Sequence, residues 1–124
     1  MNIEALWAIQ FSGANFSRAI TSGGVIVVDD GRIFGGDTWQ WYTGTYDRDQ
    51  KTGQLTFRIK TGVHYADGGQ SVFGGSLEPL KLVGNVEISA DLRTMYAKLT
   101  VEGDPRMRID AILARAAELP STKE

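Results

Sequence analysis

The chain contains no cysteine, a single histidine and only three prolines in 124 residues. Without a thiol there is no disulfide, no thiolate zinc site, no iron–sulfur ligation and no cysteine nucleophile. His64 alone is too little for a histidine-based metal site. No apolar run approaches the roughly 20 residues of a membrane-spanning helix. Residues 1–11 carry Glu4 and no basic region ahead of their short apolar run, so no secretion signal is expected. With 13 Lys plus Arg against 15 Asp plus Glu, the net charge of −2 lacks the cationic surplus that phosphate binding needs. The expectation is a cytoplasmic chain with no membrane, nucleic-acid, metal or cofactor partner.

What is abundant is glycine, 15 residues placed between apolar runs rather than gathered in one linker. Such punctuation marks many turns. Between the turns the apolar period is two. In 54–65, Leu55, Phe57, Ile59, Val63 and Tyr65 alternate with Gln54, Thr56, Arg58, Lys60 and His64, the pattern of a strand with one wet face. Leu80, Leu82, Val86 and Ile88 alternate with Lys81, Asn85 and Glu87, and Met95, Ala97, Leu99 and Val101 alternate with Tyr96, Lys98, Thr100 and Glu102.

Upstream, the run 25–28 meets Asp29, Asp30, Gly31 and Arg32 before Ile33 and Phe34, an Asp-Gly hairpin signal. Residues 5–11 form a first strand with Trp7, Ile9 and Phe11 on one face, and 38–46 a fourth, aromatic one. The segment after Pro105 fits a helix with Ile109, Ile112, Leu113 and Ala116 on one face. It also fits a strand alternating Met107, Ile109, Ala111 and Leu113 with Arg106, Arg108 and Asp110. Seven strands precede it, and an eighth over 106–114 removes two sheet edges. The fold expected is therefore all-β, a small eight-stranded antiparallel up-and-down barrel over 1–118 as one domain, with 119–124 a frayed tail.

Catalytic constellations are absent from the pattern. No glycine pair fits a phosphate-binding motif. His64 with Asp67 would make a base and its orienter, yet the alternation puts His64 on the wet face with Arg58 and Lys60. The carboxylate pairs Asp29 with Asp30 and Asp47 with Asp49 fall in turns, where Asp bonds nearby backbone amides. No catalytic residue is assigned.

Aromatic residues offer a different chemistry. Trp39 and Trp41 are two apart and point the same way on a strand, so they are expected to line the barrel interior with Trp7, Phe57 and Tyr65. Such a lining either fills the barrel or leaves room for an apolar small molecule, which would make the chain a lipocalin-like carrier. On that parity Tyr42, Tyr46, Val83 and Tyr96 face outward.

Two blocks carry a resemblance. The run 24–28 continuing through Arg32, Ile33, Phe34, Gly35, Gly36 and Asp37, then Tyr42, Thr43, Gly44, Thr45 and Tyr46, resembles the negative regulators of type III secretion, the GrlR-like family of bacteria. Leu6, Trp7, Ala8, Ile9, Gln10 and Phe11 are similar to that family's opening strand. The resemblance implies a lipocalin-like barrel that forms a homodimer and binds a transcription activator rather than catalysing a reaction. It further implies recognition through an acidic loop after the fourth strand, which falls here on Asp47, Arg48, Asp49 and Gln50. Asp47, Arg48 and Asp49 are the partner-contact candidates that follow, and Asp37 reads as a structural residue ending a strand.

Overall fold

A computed structural model describes residues 2–12, 23–37, 40–63 and 79–121. Eight strands follow in order: β1 (Ala5–Ser12), β2 (Gly23–Asp29), β3 (Arg32–Gly36), β4 (Gln40–Arg48), β5 (Leu55–Val63), β6 (Leu80–Ile88), β7 (Thr94–Val101) and β8 (Asp104–Ala117). Each is antiparallel to the next, and β8 returns to β1, so the sheet closes into an up-and-down barrel with no free edge.

The segment after Pro105 is the strand. In β8, Ile109, Ala111 and Leu113 pair with Leu99, Ala97 and Met95 of β7, while Leu113 and Ala111 also face Ile9 and Phe11 of β1. A helix would satisfy its own backbone and leave β1 and β7 with open edges; the strand satisfies both at once. Register shifts at Leu6/Trp7 and at Thr100/Val101 mark the bulges that help so small a sheet curl onto itself.

The β2–β3 hairpin turns at Asp30 and Gly31, both with positive φ (52° and 77°), the pairing a type I′ turn requires. Asp30 tolerates the left-handed region as Asp does, and its N–H donates to Glu4 Oε2 at 2.7 Å. That bond ties the hairpin to the chain ahead of β1.

Inside, alternate residues of every strand make one apolar core: Trp7 and Ile9 from β1, Ile26 and Val28 from β2, Ile33 from β3, Phe57 from β5, Leu99 from β7 and Leu113 from β8 are all buried. Outside, Arg58, Lys60, Lys81, Glu87 and Lys98 are exposed. The inward face is thus mainly apolar, and the outward face of β5, β6 and β7 carries charge.

On β4 the structure reverses the expected parity. Gln40 and Tyr42 are buried inside and Tyr46 packs against the core, whereas Trp41 is half-buried on the outer wall. A glycine on the neighbouring strand bears on it. Gly62, opposite Trp41 on β5, leaves the flat outer surface on which the indole lies, and a Cβ there would collide with the ring. Gly35, opposite Tyr42 on β3, answers a different constraint, since a Cβ there would collide with the Val25 carbonyl of β2. Val83 and Tyr96 do face outward.

Candidate functional site

At one end of the barrel, Asp37 follows β3 and organises the entry to β4. Its Oδ1 accepts the Gln40 N–H at 2.7 Å, its own N–H donates to the Gln40 carbonyl at 2.9 Å, and its Oδ2 accepts the Tyr42 hydroxyl. Burial, and then the Asp37 acceptor and its negative charge, push the Tyr42 phenol far above its ordinary pKa. Gln40 Nε2 in turn donates to Thr61 Oγ1 at 3.3 Å inside the barrel. Asp37 is therefore structural, and it fixes the inward face of β4.

These polar groups border an interior cavity walled by Ile9, Phe11, Ile26, Ile59 and Leu82. Its volume is about 10 Å³, near the least that admits a single water. Of the five aromatics expected to line the interior, Trp7 and Phe57 are buried in the core, and Phe57 stacks tilted on Tyr46 at 6.4 Å between centroids. Trp41 is outside, for the reason given above. Trp39 and Tyr65 lie outside the described residues, as do His64 and Asp67. Tyr42 takes the place expected of a tryptophan, with its ring 5.6 Å from that of Phe11.

The opposite end is closed by a charge. Arg115 ends the inward row of β8, and its side chain is only 5% exposed. Its guanidinium donates to the carbonyls of Asn2 (2.8 Å), Glu4 (3.2 Å) and Leu92 (3.3 Å) and pairs with Glu118 at 2.9 Å. The Glu118 hydrogen bonds hold Arg115 in its charged form despite desolvation, and they lower the Glu118 carboxyl in return. Trp7 Nε1 donates to the Ile3 carbonyl at 2.9 Å, so residues 2–4 are pinned across this end from two directions. The signal was present in the sequence: a charged residue continuing the row of Ile109, Ala111 and Leu113 needs a buried partner set.

The loop implied by the resemblance lies between β4 and β5. Asp49 Oδ1 accepts the N–H groups of Lys51 (2.7 Å) and Thr52 (2.9 Å), while Gly53 donates to the Asp49 carbonyl at 2.8 Å. The amides of Thr52 and then Lys51 lower the Asp49 carboxyl. Asp49 is thus occupied with the turn. Asp47 is exposed on the outer face, and Arg48, in the inward register opposite Leu55, lies at the rim of a cavity at the Arg115 end. The structure brings these three residues into one stretch but points them at different tasks.

On the outer wall, β1 to β4 lay apolar side chains in cross-strand register. Leu6 faces Val27, which faces Phe34; Ala8 faces Val25, which faces Gly36 and then Trp41. Val25 is 46% exposed and Phe34 40%, and Tyr96 (52%) pairs with Ile112 (44%) further round the barrel. Arg32 reaches over the Phe34 ring at 5.8 Å. Two cross-strand rows of apolar side chains on β1–β4 therefore face outward, with Val25 and Phe34 exposed. Their legible signal was the unbroken apolar run 25–28, which cannot place every side chain inside.

Among the described residues no group of three or more His, Cys, Asp or Glu side chains could hold a metal ion, and no helix is long and apolar enough to cross a membrane. No family model matches the chain, and no curated protein matches it.

Proposed function

We propose that this chain is a non-enzymatic binding barrel that acts through its outer wall on protein surfaces, first a second copy of itself and then a regulatory partner. The observation that carries the reading is the contrast between an interior cavity of only about 10 Å³ and the outward rows of Leu6, Val25, Val27, Phe34 and Trp41, in which Val25 and Phe34 are exposed and the others half-buried. An apolar patch of this kind on a small barrel is the usual mark of a protein contact. The charged outer residues Arg58, Lys60, Lys81 and Lys98 support an aqueous, cytoplasmic setting, since such side chains facing lipid would each cost roughly 2–4 kcal/mol at the bilayer midplane. Its resemblance to the GrlR-like regulators supplies the partner class, a transcription activator of secretion genes. The alternative, a lipocalin-like carrier of an apolar molecule, would need an interior larger than the described residues leave.

The experiment is sedimentation equilibrium of the full chain beside a Val25→Glu, Phe34→Asp double variant. A dimer for the parent and a folded monomer for the variant support the reading. A parent that stays monomeric at high concentration, or a variant that dimerises as the parent does, removes it. Pull-down of a candidate activator by the parent and not by the variant would extend the reading to the partner.

A further inference from the structure

The Arg115 end of the barrel holds a second cavity, of about 240 Å³, between residues 2–4 and the far ends of β4 and β5. Its apolar lining comes from Ile3, Leu55 and Leu92 of the β6–β7 turn, beside Asn2 and Glu4. Tyr46 and Arg48 line it beside Leu55, which pairs with Arg48 across β4 and β5; they are two residues apart and therefore on the same face of β4. The Tyr46 ring is braced on Phe57. Among the described residues neither the Tyr46 hydroxyl nor the Arg48 guanidinium has a hydrogen-bond or ion-pair partner.

The acids nearby leave that cation open. Glu4 lines the same cavity, but its carboxylate accepts the Asp30 N–H at 2.7 Å and forms no ion pair with Arg48. Asp49 is held by the amides of Lys51 and Thr52, and Asp47 faces the outer wall. Two neighbouring donors, one of them charged, thus overlook an apolar floor in a space just under the roughly 300–1,000 Å³ of drug-sized sites.

We infer that this cavity binds a small monocarboxylate. The carboxylate is received by the Arg48 guanidinium in a forked, charge-assisted pair, with the Tyr46 hydroxyl as a further donor. Its short apolar body lies on Ile3, Leu55 and Leu92. The site is separate from the interior cavity at the Gln40 end and does not depend on the outer-wall contact proposed above.

The test is a two-dimensional NMR titration of the full chain with sodium benzoate, with benzyl alcohol as the neutral match. Saturable shifts at Tyr46, Arg48 and Leu92 are expected, with benzyl alcohol weaker by about tenfold. Arg48→Met keeps the stem of an exposed side chain and is expected to weaken benzoate by about tenfold or more, Tyr46→Phe by a few-fold. Superposition of the remaining resonances shows that each variant is folded. The inference is overturned if benzoate gives no saturable shift, if the shifts fall at Ile9 and Gln40 instead, or if the Arg48→Met variant binds benzoate as the parent does.

Discussion

The Arg115 guanidinium lies over the Trp7 ring, 5.6 Å from its centroid, and joins the last strand of the barrel to the first. Trp7 is fully buried, so the cation sits against an apolar wall, and its N–H groups are spent on three backbone carbonyls and one carboxylate. A buried charge is tolerable only with such a complete partner set. Arg115→Met is expected to destabilise the chain by about 3 kcal/mol, because it leaves the carbonyls of Asn2, Glu4 and Leu92 without their donor. Arg115→Lys should recover little, since an ammonium cannot fork to the same acceptors. Urea unfolding measures both; a methionine variant as stable as the parent would show that the closure is ornamental.

Acid should loosen the same end of the molecule and the turns. Asp49, Asp91 and Glu118 all have carboxyls lowered in the folded state: Asp49 by the amides of Thr52 and Lys51, Asp91 by the Ser89 hydroxyl and the Arg93 amide, Glu118 by Arg115. A depressed folded pKa contributes stability above the unfolded value, about 3.9 for Asp and 4.3 for Glu, and loses it as pH falls through the folded value. Melting temperature should therefore hold down to about pH 4.5 and then drop. Asp49→Asn keeps an acceptor for the turn but not the titration, so its acid limb should be shallower. An acid limb of unchanged slope in that variant would remove Asp49 from the account.

Two glycines separate a backbone constraint from a side-chain one. A Cβ at Gly84 in β6 would run into the Lys98 carbonyl of β7, which the barrel holds in place. At Gly62 it would meet the Trp41 indole, which sits half-exposed on the outer wall. Gly84→Ala is expected to cost roughly 2–3 kcal/mol. Gly62→Ala should cost less but displace the indole, read as a red-shifted tryptophan emission. Equal losses for the two, with no spectral change, would contradict the assignment of Trp41 to the outer wall.

The barrel was legible because its signals are local. Period-two alternation, the Asp30-Gly31 turn and a count of seven strands that needed an eighth together led to the closed sheet observed. Parity on β4 was not legible from the strand itself. Trp41, Tyr42 and Tyr46 are all able to face a core, and Gly62 on the neighbouring strand, which makes the outer surface for the Trp41 indole, is linked to them by no local pattern. Arg115 continues a legible row, but its partner set was not legible: beside Glu118, three residues on, it consists of backbone carbonyls more than twenty residues away or at the other end of the chain, and carbonyls leave no mark in a sequence. The outer apolar rows likewise appear only once β1, β2, β3 and β4 are laid in register.

Alkali should unfold the barrel from the Gln40 end. Burial and the Asp37 carboxylate raise the Tyr42 phenol in the folded state, so the neutral form is the one the fold accepts. The unfolded chain ionises this tyrosine near pH 10, and the folded chain resists until well above it. Stability contributed by the neutral phenol is therefore complete below about pH 10 and is lost progressively above it, because only the unfolded state releases the proton. In the parent, one tyrosine's phenolate absorbance should rise together with the loss of the folded circular-dichroism signal rather than ahead of it. Tyr42→Phe should abolish that coincident step and flatten the alkaline limb, while lowering stability at neutral pH by about 1 kcal/mol for the lost donor to Asp37. If every tyrosine in the folded parent instead titrates before the fold is lost, Tyr42 is reached by hydroxide in the native barrel, and the Asp37 clasp opens without unfolding.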